Sequence, residues 1–234
     1  DIIGAAGIAE IDGAAYIAFG AWGEFVGDEA SNMMGSVLRI GEDGEVSMVA
    51  SIWDYENANN PDETIRESHP YGIAAGSDGL LYVADAAANV LFSVDPMSGE
   101  VATVTAFEPG AGVFPNPVFG GELLAHAVPT EIVFDSMGTA YVSQLSGAPF
   151  VPGSAKIVTV SEEGEVSDFA MGLTMLTDLE YGPDGNLYAT QFALFGQQGP
   201  EFNSGAVIRI MPDGTSEIVI DGLPNVTSIA LAAD

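Results

Sequence analysis

A short apolar strand, a tight turn built on Asp-Gly or its equivalent, and a second strand with a Leu-Tyr-Val-Ala core recur along this chain. The copies are residues 8–18 (IAEIDGAAYIA), 72–85 (GIAAGSDGLLYVAD), 131–144 (EIVFDSMGTAYVSQ) and 179–191 (LEYGPDGNLYATQ). After a connection of variable length each is followed by a second strand pair: GSVLRIGEDGEVSMVA, NVLFSVDPMSGEVATVT, SAKIVTVSEEGEVSDFA and GAVIRIMPDGTSEIVI. A four-stranded twisted sheet cannot bury both faces alone and must stack on neighbours, so four strands per copy at this spacing predict the blades of a β-propeller. Alternation over short runs bounded by Gly, Pro, Asn and Asp is everywhere, and no window shows the apolar spacing of a helix. The fold class expected is all-β.

The blade units run approximately over 1–52, 71–107, 129–171 and 176–222, and residues 223–234 (LPNVTSIALAAD) begin another. Four blades and one strand do not close a ring cleanly. The expectation is therefore a single propeller domain over 1–234, incomplete at both ends.

Lys and Arg total 4 against 34 Asp and Glu, a formal charge of −30, yet 47% of residues are hydrophobic and mean hydropathy is positive. A disordered acidic tail is poor in apolar residues, so this is a folded domain with an acidic surface. Self-repulsion of that size is tolerable chiefly where salt shortens the Debye length, which points to a marine or halophilic setting. No cluster of Lys or Arg exists to neutralise phosphates, which argues against nucleic acid and anionic membrane surfaces as partners. Divalent cations or a basic protein are the electrostatically sensible guests. No apolar run is long enough for direct membrane insertion, and without cysteine there is no disulfide or thiolate chemistry.

Successive strands run in opposite directions, so connections inside hairpins emerge on one side and the remaining connections on the other. The first set is uniformly short and contains Gly13, Gly44, Gly79, Gly99, Gly138, Gly164, Gly185 and Gly214. Gly supplies positive φ there, and the neighbouring Asp residues are turn formers. The second set holds the long segments 19–34, 52–70, 107–128, 145–153 and 192–204. A scaffold that keeps one side minimal and elaborates the other presents a surface for recognition or catalysis.

Trp22, Phe25, Trp53, Phe114, Phe119, Phe150, Phe192, Phe195 and Phe202 lie in or beside these long segments, with Tyr71 at the start of an inner strand. Together they make an apolar contact surface plausible. His69 and His126 each precede a Pro-containing lead-in to an inner strand, where a His pair binds metal, exchanges protons or simply bonds a loop carbonyl.

The most polar connection, residues 54–62 (DYENANNPD), offers Asp54, Glu56, Asn57, Asn59, Asn60 and Asp62. Oxygen donors of this kind suit a hard cation such as Ca²⁺, whereas Asn and Asp also cap turns through their own side chains. Asp85, Gln144 and Gln191 end second strands and Asp178 opens an inner strand, positions at which polar groups line a channel mouth and are satisfied by water.

The stretch YENANNPDETIRESHPYGIAAGSDGLLYVADAAAN from Tyr55, and VPTEIVFDSMGTAYVSQLSGAPFVPGSAKIVTV from Val128, resemble the ScyD/ScyE family. Its members carry a Y/FE-x-x-NNPD stretch, an S-N-P-Y-G segment, a VADAGAN strand end and a YVGELTGFPF-x-x-G-x-A-x-V strand pair. The resemblance extends through residues 176–211. It implies a six-bladed propeller, secreted or periplasmic, of a kind spread widely among bacteria. Departures are His69 for Asn, Ala87 for Gly and Ala148 for the aromatic of Gly-Phe-Pro-Phe.

Two functional classes follow. As a non-catalytic interaction protein, the chain docks a protein partner or self-assembles through its elaborated face. As an enzyme, it resembles Ca²⁺-dependent lactonases of the gluconolactonase type, with Asp85, Asp178, Asn57 and Glu131 as ligands at the channel mouth. The first is preferred.

Overall fold

The computed structural model describes residues 4–23, 33–41 and 43–232. The chain divides into two compact units, Asp1–Glu108 and Pro109–Asp234. Each contains two four-stranded antiparallel sheets.

In the first unit β1 (Ala5–Ile11) pairs with β2 (Ala14–Phe19), the chain passes a short strand β3 (Trp22–Gly23), and β4 (Ser36–Ile40) and β5 (Val46–Ser51) complete the sheet. A helix α1 (Ile52–Asn59) and β6 (Glu67–Ser68), which pairs with β3, lead to the second sheet. That sheet is an up-and-down meander of β7 (Pro70–Ala75), β8 (Leu81–Asp85), β9 (Val90–Val94) and β10 (Val101–Ala106).

The second unit opens with a hairpin, β11 (Gly110–Asn116) and β12 (Glu122–Ala125), joined by a 3-10 turn at Pro117–Phe119. Its first sheet is β13 (Pro129–Phe134), β14 (Ala140–Gln144), β15 (Ala155–Val160) and β16 (Val166–Leu173). The second begins with β17 (Leu176–Tyr181) and β18 (Leu187–Gln191). After the small hairpin of β19 (Phe195–Gly196) and β20 (Gly199–Pro200), it ends with β21 (Gly205–Ile210) and β22 (Ser216–Leu223).

The repeat reaches down to the irregularities. The first strand of every four-stranded sheet carries a register shift near its start, at Ala5/Gly7, Pro70/Gly72, Pro129/Glu131 and Leu176/Asp178. The outermost pair of every such sheet carries another, at Val37/Leu38, Thr103/Thr105, Ile157/Val158 and Val207/Ile208. Bulges that recur at equivalent places are designed bends that set the twist of each sheet.

The turns follow the sequence expectation: the glycines of the eight short hairpin turns have φ between 75° and 86°. Two carry a further device, because Tyr82 Oη donates to Asp78 Oδ2 at 2.8 Å and Tyr188 Oη to Asp184 Oδ2 at 2.9 Å. The ring crosses the strand end so closely that a Cβ on Gly76 or Gly182 would lie 2.6 or 2.5 Å from it. The motif Gly-x-Asp-Gly-x-x-Tyr is thus one packed unit.

Strands β8, β14 and β18 share one burial pattern, a half-buried Tyr among buried neighbours. In the first unit Tyr16, Val37 and Ile52 pack with Leu81, Val83 and Phe92, joining its two sheets in one core. In the second, Ile157, Leu173, Leu176, Leu179 and Ile208 do the same. Each such side chain contributes about 1.5–3 kcal/mol by burial.

Helix α1 departs from the sequence expectation of no helix. Ser51 Oγ caps it by accepting from Asp54 N at 3.0 Å. Asn60, left-handed at φ 47°, closes it by donating its N–H to Glu56 O. Its buried residues are Ile52 and Glu56, one turn apart, so no apolar stripe marks it in the sequence. No helix of the described residues is long and apolar enough to cross a membrane.

Candidate functional site

Within each four-stranded sheet the antiparallel order sends the connections after the second and fourth strands out at the same end, opposite the short hairpin turns. The two units furnish that end differently.

In the first unit the connection from α1 to β7 is organised by carboxylates. Asp85, at the end of β8, is fully buried. Its Oδ2 accepts from Ser68 Oγ at 2.6 Å, and its Oδ1 from the N–H groups of His69 at 2.6 Å, Ala87 at 3.1 Å and Ala88 at 3.0 Å. One side chain therefore ties β6 and the start of β7 to the β8–β9 turn. Burial pushes its carboxyl above the usual range, against the pull of these donors. Burial lowers the neighbouring His69 imidazole, with Asp85 acting in the opposite direction.

Asp62 forms a second knot. It accepts from Thr64 N at 3.0 Å, Thr64 Oγ1 at 2.6 Å and Asn89 Nδ2 at 2.9 Å. Glu56 is fully buried on α1 and neither of its oxygens has a hydrogen-bond partner. Burial first, then the charges of Asp62 and Asp85, push its carboxyl up to about 8. Glu67 is raised by burial, Asp85 and Asp62. Four carboxylates thus share one neighbourhood, with the Arg66 guanidinium as the cation acting on Glu56. Arg66 Nε itself donates to Asn57 O at 3.0 Å.

Three of the other oxygen ligands expected in this connection do not join the buried cluster. Asp54, Asn57 and Asn59 are exposed, and Asn59 Nδ2 is turned back onto Tyr55 O at 2.8 Å. Asn60 does join it: its Nδ2 donates to Thr64 O at 3.1 Å, and its Oδ1 is buried without a partner.

Asp178 belongs to the second unit. Its Oδ2 accepts from Ile229 N at 2.7 Å and its Oδ1 from Leu179 N at 2.8 Å, while burial raises its carboxyl despite these bonds. Glu131 Oε1 accepts from Ile132 N at 3.0 Å. The four residues expected for a lactonase site are therefore divided two and two between the units, and Asp85, Asp178 and Glu131 have local backbone partners. Among the described residues no group of three or more acidic, His or Cys side chains converges in metal-ligating geometry.

Polar residues at the strand ends are buried rather than bathed in water: Asp85, Gln144 and Gln191 are at most 9% exposed. Protein donors and acceptors take water's place, as where Gln191 Nε2 donates to Ser204 O at 2.9 Å.

Most of the aromatics expected on the recognition face are partly exposed. Trp53, Tyr71, Phe119, Phe150, Phe192 and Phe195 are half-buried. The His69 ring meets Tyr71 edge-on at 5.6 Å, the His126 ring lies 4.8 Å from Phe119, and the Phe150 ring lies 4.9 Å from Phe195. Trp22 pairs through its backbone with Ser68, and Phe25 lies outside the described residues. The exposed aromatics of the second unit are Phe114, 66% exposed, and Phe202, 76% exposed. Phe114 sits on β11 with exposed Val113 beside it and exposed Leu123 on β12. Asn116-Pro117 and Gly120-Gly121 between two apolar runs were the readable signs of this hairpin.

No protein-family model matches the chain, and neither does any curated protein. Solved structures do. Virginiamycin B lyase from Staphylococcus aureus is similar over 99% of this chain and 75% of its own, at 16% identity and a TM-score of 0.58. A chain of a nidogen/laminin complex is similar over 98% and 68%, at 13% identity and a TM-score of 0.61. A gluconolactonase from Xanthomonas campestris is similar over 97% and 79%, at 13% identity and a TM-score of 0.53. These likenesses establish the fold, a β-propeller of four-stranded blades.

Proposed function

We propose that this protein is a non-catalytic β-propeller acting outside the cytoplasm as a protein-binding scaffold, with the β11–β12 hairpin as its principal contact. The observation that carries this reading is the exposure of Val113, Phe114 and Leu123 on one hairpin, at 51, 66 and 55%. Clustered exposed apolar side chains on a loop mark interaction sites, and a large aromatic is the usual anchor. Exposed Glu122 opens β12 of the hairpin, and the chain carries −30 overall. The partner that fits is a protein with an apolar pocket rimmed by Lys or Arg.

The resemblance to the ScyD/ScyE family supports a secreted or periplasmic location, and the acidic surface supports a saline one. A propeller in a nidogen/laminin complex and an extracellular domain from B. thetaiotaomicron are among the structures similar to this chain. Both are in keeping with this reading.

The test is affinity capture from the source's extracellular fraction with the wild-type chain and with Val113→Ser/Phe114→Ala/Leu123→Ser as baits. The expected result is a protein retained by the first and lost by the second at matched thermal stability. Equal retention by both baits would defeat the assignment of the hairpin. Concentration-dependent dimerisation abolished by the same substitutions would identify a second copy of the chain as the partner.

A further inference from the structure

Among the described residues, three buried side-chain oxygens have no hydrogen-bond partner: Glu56 Oε1, Glu56 Oε2 and Asn60 Oδ1. Glu56 lies in the last turn of α1, and Asn60 is its left-handed cap, whose N–H donates to Glu56 O at 2.7 Å. Such groups are costly to bury without a donor, and a carboxylate far more so than an amide.

The surroundings make the need more specific. The charged groups acting on Glu56 are Asp62, Asp85 and Glu67 on one side of the balance and Arg66 on the other. Asp62 and Asp85 are themselves acceptors already holding donors from Thr64, Asn89, Ser68, His69 and the β8–β9 turn. Arg66 is exposed, with its Nε bound to Asn57 O. The Asn60 amide nitrogen is held by Thr64 O, which leaves the carbonyl end of the amide facing inward. A cation with several coordination sites would satisfy all three oxygens at once.

We infer that Glu56 and Asn60 bind a Ca²⁺ ion at the base of the 52–69 connection, with Asp62 adding negative charge beside it. The donors are carboxylate and carboxamide oxygens, without nitrogen or sulfur, which selects a hard cation over Zn²⁺ or Cu²⁺. Ca²⁺ accepts a bidentate carboxylate and irregular coordination, whereas Mg²⁺ demands a near-ideal octahedron and sheds its waters reluctantly. The ion would join the end of α1 to the turn at Asn60 and Asp62, the segment that delivers Ser68 and His69 to Asp85. This site is independent of the hairpin surface, so either assignment can fail without the other.

The test uses the full chain, stripped of metal with EDTA and held in molar KCl so that general screening is constant. Calorimetric titration with CaCl₂ is expected to show one binding event, and millimolar Ca²⁺ to raise Tm by several degrees where Mg²⁺ does not. Glu56→Gln keeps the shape and removes the charge, and is expected to weaken binding by more than about tenfold. Asn60→Gly keeps the left-handed turn, removes Oδ1 and is expected to weaken binding as well. Asp54→Asn, on the exposed face of the same helix, is expected to bind as the wild type does. No binding by the folded wild type, an equal response to Mg²⁺, or undiminished binding by Glu56→Gln would each overturn the assignment.

Discussion

The 52–69 connection follows the last strand of the first four-stranded sheet and the 107–128 connection the last strand of the second, yet they are built on opposite principles. The first turns polar groups inward: Glu56, Ser68 and Asp85 are fully buried, and its architecture is a network of side-chain to backbone bonds. The second turns apolar groups outward, with Val113, Phe114 and Leu123 in solvent on a hairpin held by its own backbone pairing. A buried polar network is specific and intolerant of change, because every unmet donor or acceptor has a cost. An exposed apolar hairpin contributes little to the fold and is free to serve a partner. The same place in the repeat thus carries a buried polar clamp after one sheet and an exposed apolar hairpin after the other.

The comparison is broken most severely at Asp85. Asp85→Ala strands the donors of Ser68, His69, Ala87 and Ala88 in a buried site, and should lower unfolding free energy by about 4 kcal/mol or more in a denaturant melt. A loss under about 1 kcal/mol would mean that the network is not holding the connection.

Salt comes next. Among the described residues two ion pairs occur, Lys156 with Asp168 and Arg209 with Glu217, against a formal charge of −30. Most of the repulsion is therefore left to the solvent to screen. Thermal stability should climb steeply between low and molar NaCl, and a flat response would remove the halophile reading.

The buried carboxylate sharpens the contrast through pH. Glu56 is raised in the folded protein from 4.5 to about 8. The folded state therefore holds a proton that the unfolded chain releases earlier, and stability present below about pH 4.5 is lost as pH rises toward 8. In EDTA, the Tm of the wild type should fall by several degrees more than that of Glu56→Gln across this window. Parallel curves would place Glu56 in a solvated environment.

The smallest effect is expected on the other side of the comparison. Val113→Ser, Phe114→Ala and Leu123→Ser should each change stability by less than about 0.5 kcal/mol, as surface substitutions do. A larger loss in any of them would show that the hairpin packs against something and is not a free surface.

Much of the fold was legible because it is local. The Asp-Gly turns dictate hairpins through positive φ, and short apolar runs such as Leu-Tyr-Val-Ala between turn residues mark strands buried on both faces. The acidic residues at the turns, Asp78 and Asp184 among them, read correctly as turn formers, since a side chain bonding two residues ahead needs no tertiary partner. Helix α1 was not legible, because its buried face is Ile52 and Glu56 and hydrophobic periodicity cannot register a buried carboxylate. Nor did residue type tell Glu56 and Asn60 from Asp54 and Asn59, which share their chemistry and their nine-residue stretch.

By itself, then, the sequence determined the repeat, the strands of the four-stranded blades, the short hairpin turns and the net charge of −30. These follow from the conformational preferences of a few adjacent residues. The tertiary structure alone decided which polar groups are sealed from water and which aromatics remain in it. Burial is a property of everything that packs around a side chain, and packing brings Glu56 among Asp62, Glu67 and Asp85 while leaving Phe114 in solvent.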